Sequence, residues 1–164
     1  MRQKILGDKL LKKIDLTKKI CVLGIGNFDR ADDYAGIAVA KQLEQKSFPE
    51  NITILNVPEA FTGVIKREQP DILIIIDAAW MDQPPGTIQV FTEDKIETVC
   101  MITPHNTPIT MFTKYLHYYL QELIVYYIGI QPKSMRYQEP MSDPVKKSIE
   151  NLVDFLVKKL KNKI

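Results

Sequence analysis

The sequence predicts an α/β fold, a three-layer α/β/α sandwich built on a mainly parallel central sheet of about five strands. Short apolar stretches of strand length alternate along the chain with amphipathic stretches of helix length. Two of the short stretches, 72–76 and 124–130, are apolar without interruption, the pattern of strands covered on both faces. The 164 residues are expected to form one domain, 1–164, with a helical extension at residues 1–17.

The strands are predicted from apolar and β-branched stretches that turn residues interrupt. In chain order they are 20–23, 52–57, 71–76, 87–91 and 124–130. The stretch 87–91 alternates apolar and polar residues, which indicates an edge or antiparallel strand. Asp77 directly follows the central strand, at the point where a buried strand leaves the sheet.

The helices are predicted from apolar residues at spacings of three and four. In chain order they are 4–16, 33–45, 61–67, 94–98, 108–123 and 143–160. Asp32 or Asp33 is expected to cap the second helix, because aspartate is favoured at helix N-termini. The last helix has the clearest signature, with Asp143 as cap and Pro144 at its first position.

Composition excludes several classes of protein. A net charge of +2, from 22 basic and 20 acidic residues, predicts no strong attraction to nucleic acid. The lysines at 9–19 and 158–163 lie at helical spacing and are expected on solvated helix faces. No secretory signal and no membrane-spanning apolar run is found, so we expect a cytoplasmic protein without membrane contact. Cys21 and Cys100 are expected to be buried free thiols.

Three polar residues far apart in sequence converge in this topology. Ligands of an open parallel sheet bind at the carboxyl ends of the strands. Asp33 lies in the loop after the first strand, Asp77 ends the central strand, and His105 lies in the proline-flanked loop after the apolar residues 99–102. A carboxylate that ends a buried strand must be paired, hydrogen-bonded or ligating to offset its desolvation.

Two carboxylates and an imidazole form a mixed oxygen and nitrogen site suited to nickel, zinc or another divalent ion. Without the histidine, paired aspartates could share a proton as an acid/base dyad. His117 lies within an aromatic helical stretch, where packing or surface placement is expected. The residues therefore indicate a metal-assisted or carboxylate hydrolase.

The loop with Gly24 and Gly26 offers a second interpretation, a nucleotide-binding domain. The dinucleotide fingerprint needs a third glycine, and this chain has Asp29 at that position. Further negative charge at Asp32 and Asp33 disfavours phosphate. No nucleotide cofactor is expected.

At the same residues the chain resembles the hydrogenase maturation endopeptidases, which trim the carboxyl-terminal tail from nickel-iron hydrogenase large-subunit precursors. Four blocks in this order carry the resemblance. They are Gly24-Ile25-Gly26-Asn27 with Asp32-Asp33 and Gly36, then Ile74-Ile75-Ile76-Asp77-Ala78, then Thr103-Pro104-His105, then Ile128-Gly129-Ile130-Gln131-Pro132.

The resemblance implies that Asp33, Asp77 and His105 act as metal ligands and catalytic residues. It further implies a nickel-dependent endopeptidase whose partner is a nickel-loaded precursor. The precursor carries the nickel, and the isolated protein could bind another divalent ion at the same site. A non-catalytic, metal-dependent chaperone of the precursor would show the same three residues. We expect a monomer, with Trp80 and Met81 exposed beside the site to meet the substrate.

Overall fold

A computed structural model describes residues 3–57, 62–99 and 109–161 of the chain. Within these ranges the strands form a six-stranded sheet in the order β1-β5-β6-β4-β2-β3. The strands are β1 (Ile5–Leu6), β2 (Ile20–Ile25), β3 (Ile52–Val57), β4 (Ile72–Ala78), β5 (Ile88–Thr92) and β6 (Ile124–Ile130). Every neighbouring pair is parallel except β5 with β6. The predicted mainly parallel α/β fold is confirmed, and so is the antiparallel alternative for residues 87–91.

Helices cover both faces of this sheet. They are α1 (Asp8–Lys12), α2 (Ala35–Glu44), α3 (Thr62–Glu68), α4 (Ile96–Val99), α5 (Ile109–Tyr119) and α6 (Asp143–Lys161). Alternate residues of the strands point to opposite faces. Side chains of one face pack with α1, α2 and α6, and those of the other pack with α3, α4 and α5. The result is the predicted three-layer arrangement, with an apolar core on each side of the sheet.

The amino-terminal segment differs from its prediction. Residues 4–16 were expected to form one helix, but Ile5–Leu6 pairs with β5 as the sixth strand and α1 covers Asp8–Lys12. The break lies at Gly7, whose left-handed φ of 73° no ordinary helical residue adopts. A Cβ at this position would lie 2.2 Å from the carbonyl oxygen of Val90. Packing against β5 therefore overrides the helical periodicity of the segment.

Other boundaries shift by smaller amounts. The helix α5 ends at Tyr119, four residues before the predicted end at 123, and a turn between Leu120 and Leu123 leads into β6. The long α6 begins at Asp143 as predicted, within one residue. Residues 100–102 of the apolar stretch 99–102 lie outside the described ranges. Among the helices that the structure describes, none has the length and apolarity needed to cross a membrane.

Candidate active site at the carboxyl edge of the sheet

The loop after β2 folds back on itself, so that Asp33 lies next to the start of the loop. The backbone N–H of Asn27 donates to the carbonyl oxygen of Asp33 at 3.2 Å. A Cβ on Gly26 would lie 2.1 Å from the same oxygen, so a larger residue does not fit there. A short 3-10 turn, Ala31–Tyr34, carries Asp33 and leads directly into α2. Asp33 is 2% exposed.

Close packing of α2 on the sheet brings this turn to the central strand. Gly36, in the first turn of α2, has no room for a Cβ, which would lie 2.2 Å from the carbonyl oxygen of Ile76 and 2.3 Å from that of Ile25. The helix therefore starts in contact with the ends of β2 and β4, and the 3-10 turn also contacts β4. Gly24 makes an equally close approach to the Gly36 carbonyl. Gly24 and Gly36 thus serve helix packing, and the loop carries three aspartates against one arginine, Arg30, which gives no support to the nucleotide interpretation.

The expected capping of α2 by Asp32 or Asp33 is not observed. Tyr34 is the N-cap residue, and its side chain makes no capping hydrogen bond. The physical reason is the 3-10 turn, which places both aspartates before the helix start and directs them to other partners. The prediction of a cap at Asp32 or Asp33 was wrong.

Asp77 is the penultimate residue of β4 and is fully buried. It stands opposite Gly129 of β6 in the parallel register. The hydroxyl of Tyr127 donates a hydrogen bond to its Oδ2 at 3.1 Å. The strand continues two residues past the predicted end at 76, to Ala78. A carboxylate at 0% exposure in an apolar strand meets the expectation that it must have partners.

The structure thus brings the elements of two predicted site residues together. Asp33 and Asp77 lie on a turn and a strand that contact each other, and both side chains are buried. The third predicted residue, His105, lies outside the described residues, as does Cys100. Within the ranges that are described, no group of three or more His, Cys, Asp or Glu residues could hold a metal ion. The donor set is two carboxylates, whose hard oxygens suit a divalent cation and would need a further ligand from elsewhere.

A third buried carboxylate, Asp32, was predicted only as a possible helix cap, and the structure shows a different role for it. It accepts hydrogen bonds from the backbone N–H groups of Lys133, Ser134 and Ser142 at 2.7 to 3.1 Å, and from the Ser142 hydroxyl at 2.8 Å. Its own N–H donates to the Ser134 carbonyl at 3.1 Å. We call this set of bonds the Asp32 clamp. It ties the loop of Asp33 to the segment between β6 and α6.

The exposure of four further side chains tests other predictions, of which one was wrong. Met81 is 5% exposed, because it fills the space that Gly129 leaves open, so its predicted exposure was wrong. Trp80 is half-buried. His117 is partly exposed, in agreement with a surface role, and its Nε2 is hydrogen-bonded to Oε2 of Glu93 at 2.8 Å. Cys21 is a buried free thiol as predicted, and burial raises its pKa to about 12.

The fold and the site together define a class, an α/β sandwich protein with buried carboxylates at the carboxyl edge of its sheet. Ligands of such sheets bind at this edge, where the sequence predicted a carboxylate- or metal-assisted hydrolase. A family model described as hydrogenase maturation protease, HycI, matches residues 37–159. The chain belongs to the hydrogenase maturation protease family.

Individual relatives agree with this assignment. The chain is 30% identical over 133 residues to the hydrogenase 3 maturation protease of Escherichia coli K12, covering 80% of this chain and 84% of that protein. It is 36% identical over 160 residues to a Methanocaldococcus jannaschii protein whose name provisionally assigns it to the hydrogenase maturation proteases, covering 92% and 93%. The crystal structure of the NiFe hydrogenase maturation protease HycI from Thermococcus kodakarensis KOD1 superposes with a TM-score of 0.77 at 29% identity, covering 88% of this chain and 94% of that one.

Proposed function

We propose that the protein is an endopeptidase that removes the carboxyl-terminal tail of a nickel-iron hydrogenase large-subunit precursor after nickel insertion. The observation that carries this proposal is that Asp33 and Asp77, both buried, lie on two elements that contact each other at the carboxyl edge of the sheet. Membership of the hydrogenase maturation protease family supports the peptidase activity and the hydrogenase substrate.

In this proposal the nickel ion belongs to the substrate. Asp33 and Asp77 supply oxygen donors and His105 supplies a nitrogen donor, a mixed set suited to a borderline divalent ion. Nickel engaged in this way would polarise the scissile carbonyl or lower the pKa of an attacking water. The desolvated position of the carboxylates strengthens their attraction for a cation that reaches them.

The chain itself contributes a base for the hydrolysis. The water oxygen attacks the scissile carbonyl carbon, the C–N bond breaks, and one water proton passes to the departing amine. A carboxylate within hydrogen-bond reach of that water relays the proton as a general base. Asp33 and Asp77 are the candidates among the described residues, because both lie at the edge where the substrate would enter.

The first test is the intact mass of a nickel-loaded precursor before and after incubation with the protein, beside a nickel-free precursor. Loss of one defined carboxyl-terminal peptide from the nickel-loaded sample alone is the expected result. Binding of the precursor without cleavage would contradict the proposal and favour the non-catalytic chaperone. Absence of both binding and cleavage would contradict both.

The second test assigns the residues. Asp33→Asn, Asp77→Asn and His105→Ala are each expected to abolish cleavage while the circular dichroism spectrum stays that of the wild type. Asp29→Asn is the matched control, because Asp29 is an exposed aspartate of the same loop. Wild-type cleavage by all three site variants would remove these residues from the proposal.

We propose further that a cytoplasmic monomer carries out this reaction, since all three candidate residues come from one chain. Light scattering after gel filtration is expected to give a mass near 18.9 kDa. A mass of twice that value at micromolar concentration would contradict the monomer.

A further inference from the structure

Strand β6 delivers one hydroxyl group to the candidate site. Tyr127 is 0% exposed, and its hydroxyl donates to Oδ2 of Asp77 at 3.1 Å. The strand is otherwise apolar in the part that lies next to Asp77, with Ile128, Gly129 and Ile130 following Tyr127. The contact therefore joins a buried phenol to a buried carboxylate on two adjacent parallel strands, near their carboxyl ends.

The strand register explains how Tyr127 reaches Asp77. Ile75 stands opposite Tyr127 and Asp77 opposite Gly129, so the tyrosine is the diagonal neighbour of the aspartate on the same face of the sheet. The diagonal separation of such residues is within reach of an aromatic side chain. Gly129, directly opposite, presents no side chain toward the carboxylate.

Packing holds the ring of Tyr127 in place. The ring of Phe91 on β5 packs against it with centroids 5.0 Å apart and an interplanar angle of 41°. Tyr127 also belongs to the apolar core between the sheet and the layer of α3, α4 and α5. Phenylalanine would fill this core equally well and would not bury a hydroxyl, whose desolvation costs free energy unless it is hydrogen-bonded. A purely structural account of the position thus leaves the hydroxyl group unexplained.

We propose that Tyr127 is a positioning residue that holds the Asp77 carboxylate in the orientation in which it engages the substrate's nickel. This inference rests on the proposed function. A carboxylate that reacts or ligates must be kept near its productive geometry, and hydrogen bonds from surrounding residues do this in metal sites. Tyr127 acts through Asp77 and is not itself expected to touch the substrate.

Tyr127→Phe tests the inference, with Tyr126→Phe as the matched control. Tyr126 is the preceding residue of the same strand, is half-buried, and packs on the opposite face of the sheet. With nickel-loaded precursor as substrate, Tyr127→Phe is expected to lower kcat about 10- to 100-fold with KM unchanged. Tyr126→Phe is expected to leave both constants at the wild-type values. A wild-type kcat for Tyr127→Phe would overturn the inference.

A second readout does not depend on cleavage. In protein labelled with ¹³C at aspartate carboxyl carbons, the Asp77 resonance is identified by its loss in Asp77→Asn. We expect this resonance to move in Tyr127→Phe and to stay in place in Tyr126→Phe. An unmoved resonance would overturn the inference whatever the kinetics show. Failure of the wild-type protein to cleave any precursor would instead contradict the proposed function. The Asp77 resonance would still show whether Tyr127 donates a hydrogen bond to the Asp77 carboxylate.

Discussion

Asp32 and Asp33 are neighbours in sequence and are both buried, but they have different roles in the structure. The Asp32 carboxylate accepts four hydrogen bonds from a segment 101 to 110 residues further along the chain. Asp33 lies in the same 3-10 turn, which contacts the strand that carries Asp77. One carboxylate anchors the loop, and the other is held by that anchor at the candidate site.

The difference teaches that burial alone does not identify a functional carboxylate. Asp32 is 0% exposed and Asp33 is 2% exposed, so exposure ranks the anchor as the more deeply buried of the two. What identifies Asp32 as an anchor is the set of hydrogen bonds that three residues of a distant segment donate to its carboxylate. These bonds also hold the turn at Ala31, whose φ of 48° is unfavourable for a residue with a side chain.

The largest expected effect comes from Asp33→Asn. Loss of the charge is expected to lower cleavage of nickel-loaded precursor about 1000-fold or more, because a group that acts with its partners as a unit leaves little activity when removed. The free energy of unfolding, from urea denaturation, is expected to fall by less than the loss of about 3 kcal/mol expected for Asp32→Asn. A large loss of stability with cleavage retained would assign Asp33 to the scaffold and would erase the difference from Asp32.

Asp32→Asn is expected to have the reverse profile. Replacing the carboxylate by an amide removes the negative charge that four donors share and is expected to lower the free energy of unfolding by about 3 kcal/mol. Cleavage per folded molecule is expected to fall less than 10-fold, a far smaller effect than that of Asp33→Asn. Urea denaturation and cleavage measured on one preparation provide both numbers. Unchanged stability would contradict the anchoring role.

Ser142→Ala sharpens the same comparison with a smaller change. The variant loses the hydroxyl bond to Asp32 Oδ2 at 2.8 Å and keeps the N–H bond to Oδ1 at 2.7 Å. We expect a loss of about 1 kcal/mol of unfolding free energy, the contribution of one hydrogen bond. Ser47→Ala, at an exposed serine, is the control. Equal effects of the two variants would show that the hydroxyl adds nothing to the Asp32 clamp.

Cys21 is a further buried titratable group that can be compared with Asp32 and Asp33. It lies in β2, the strand that precedes their loop. Burial raises the pKa of its thiol from the ordinary value of 9.0 to about 12, with a smaller contribution from the charge of Glu68. The unfolded thiol therefore ionises first, so the contribution of Cys21 to stability is complete near pH 7, begins to fall as pH approaches 9, and continues to fall as pH rises toward 12. Between pH 7 and pH 9 the loss is about 0.4 kcal/mol.

Urea denaturation of the wild type and of Cys21→Ala at both pH values measures this contribution. The wild type is expected to lose about 0.4 kcal/mol more than the variant between pH 7 and pH 9. An identical pH dependence for the two proteins would contradict the raised pKa of the thiol.

Local sequence was sufficient for elements whose signal is strong and uninterrupted. The strand β6 has the predicted bounds, and β4 starts one residue later and ends two residues later than predicted, because a continuous apolar run is specific for a strand buried on both faces. Asp33 and Asp77 could be selected because carboxyl ends of parallel strands meet at one edge. The amino-terminal segment was mispredicted because its pairing with β5 involves residues more than 80 positions away.

The sequence by itself determined the α/β class, the order of most elements, the two candidate carboxylates and the family to which the chain belongs. The tertiary structure alone decided that Asp32 anchors a loop, that Tyr127 donates to Asp77, and that Met81 is buried. The physical reason is the same for all three. Each depends on a contact between residues that are far apart in the chain, and strand order and register, not local periodicity, determine which distant residues meet.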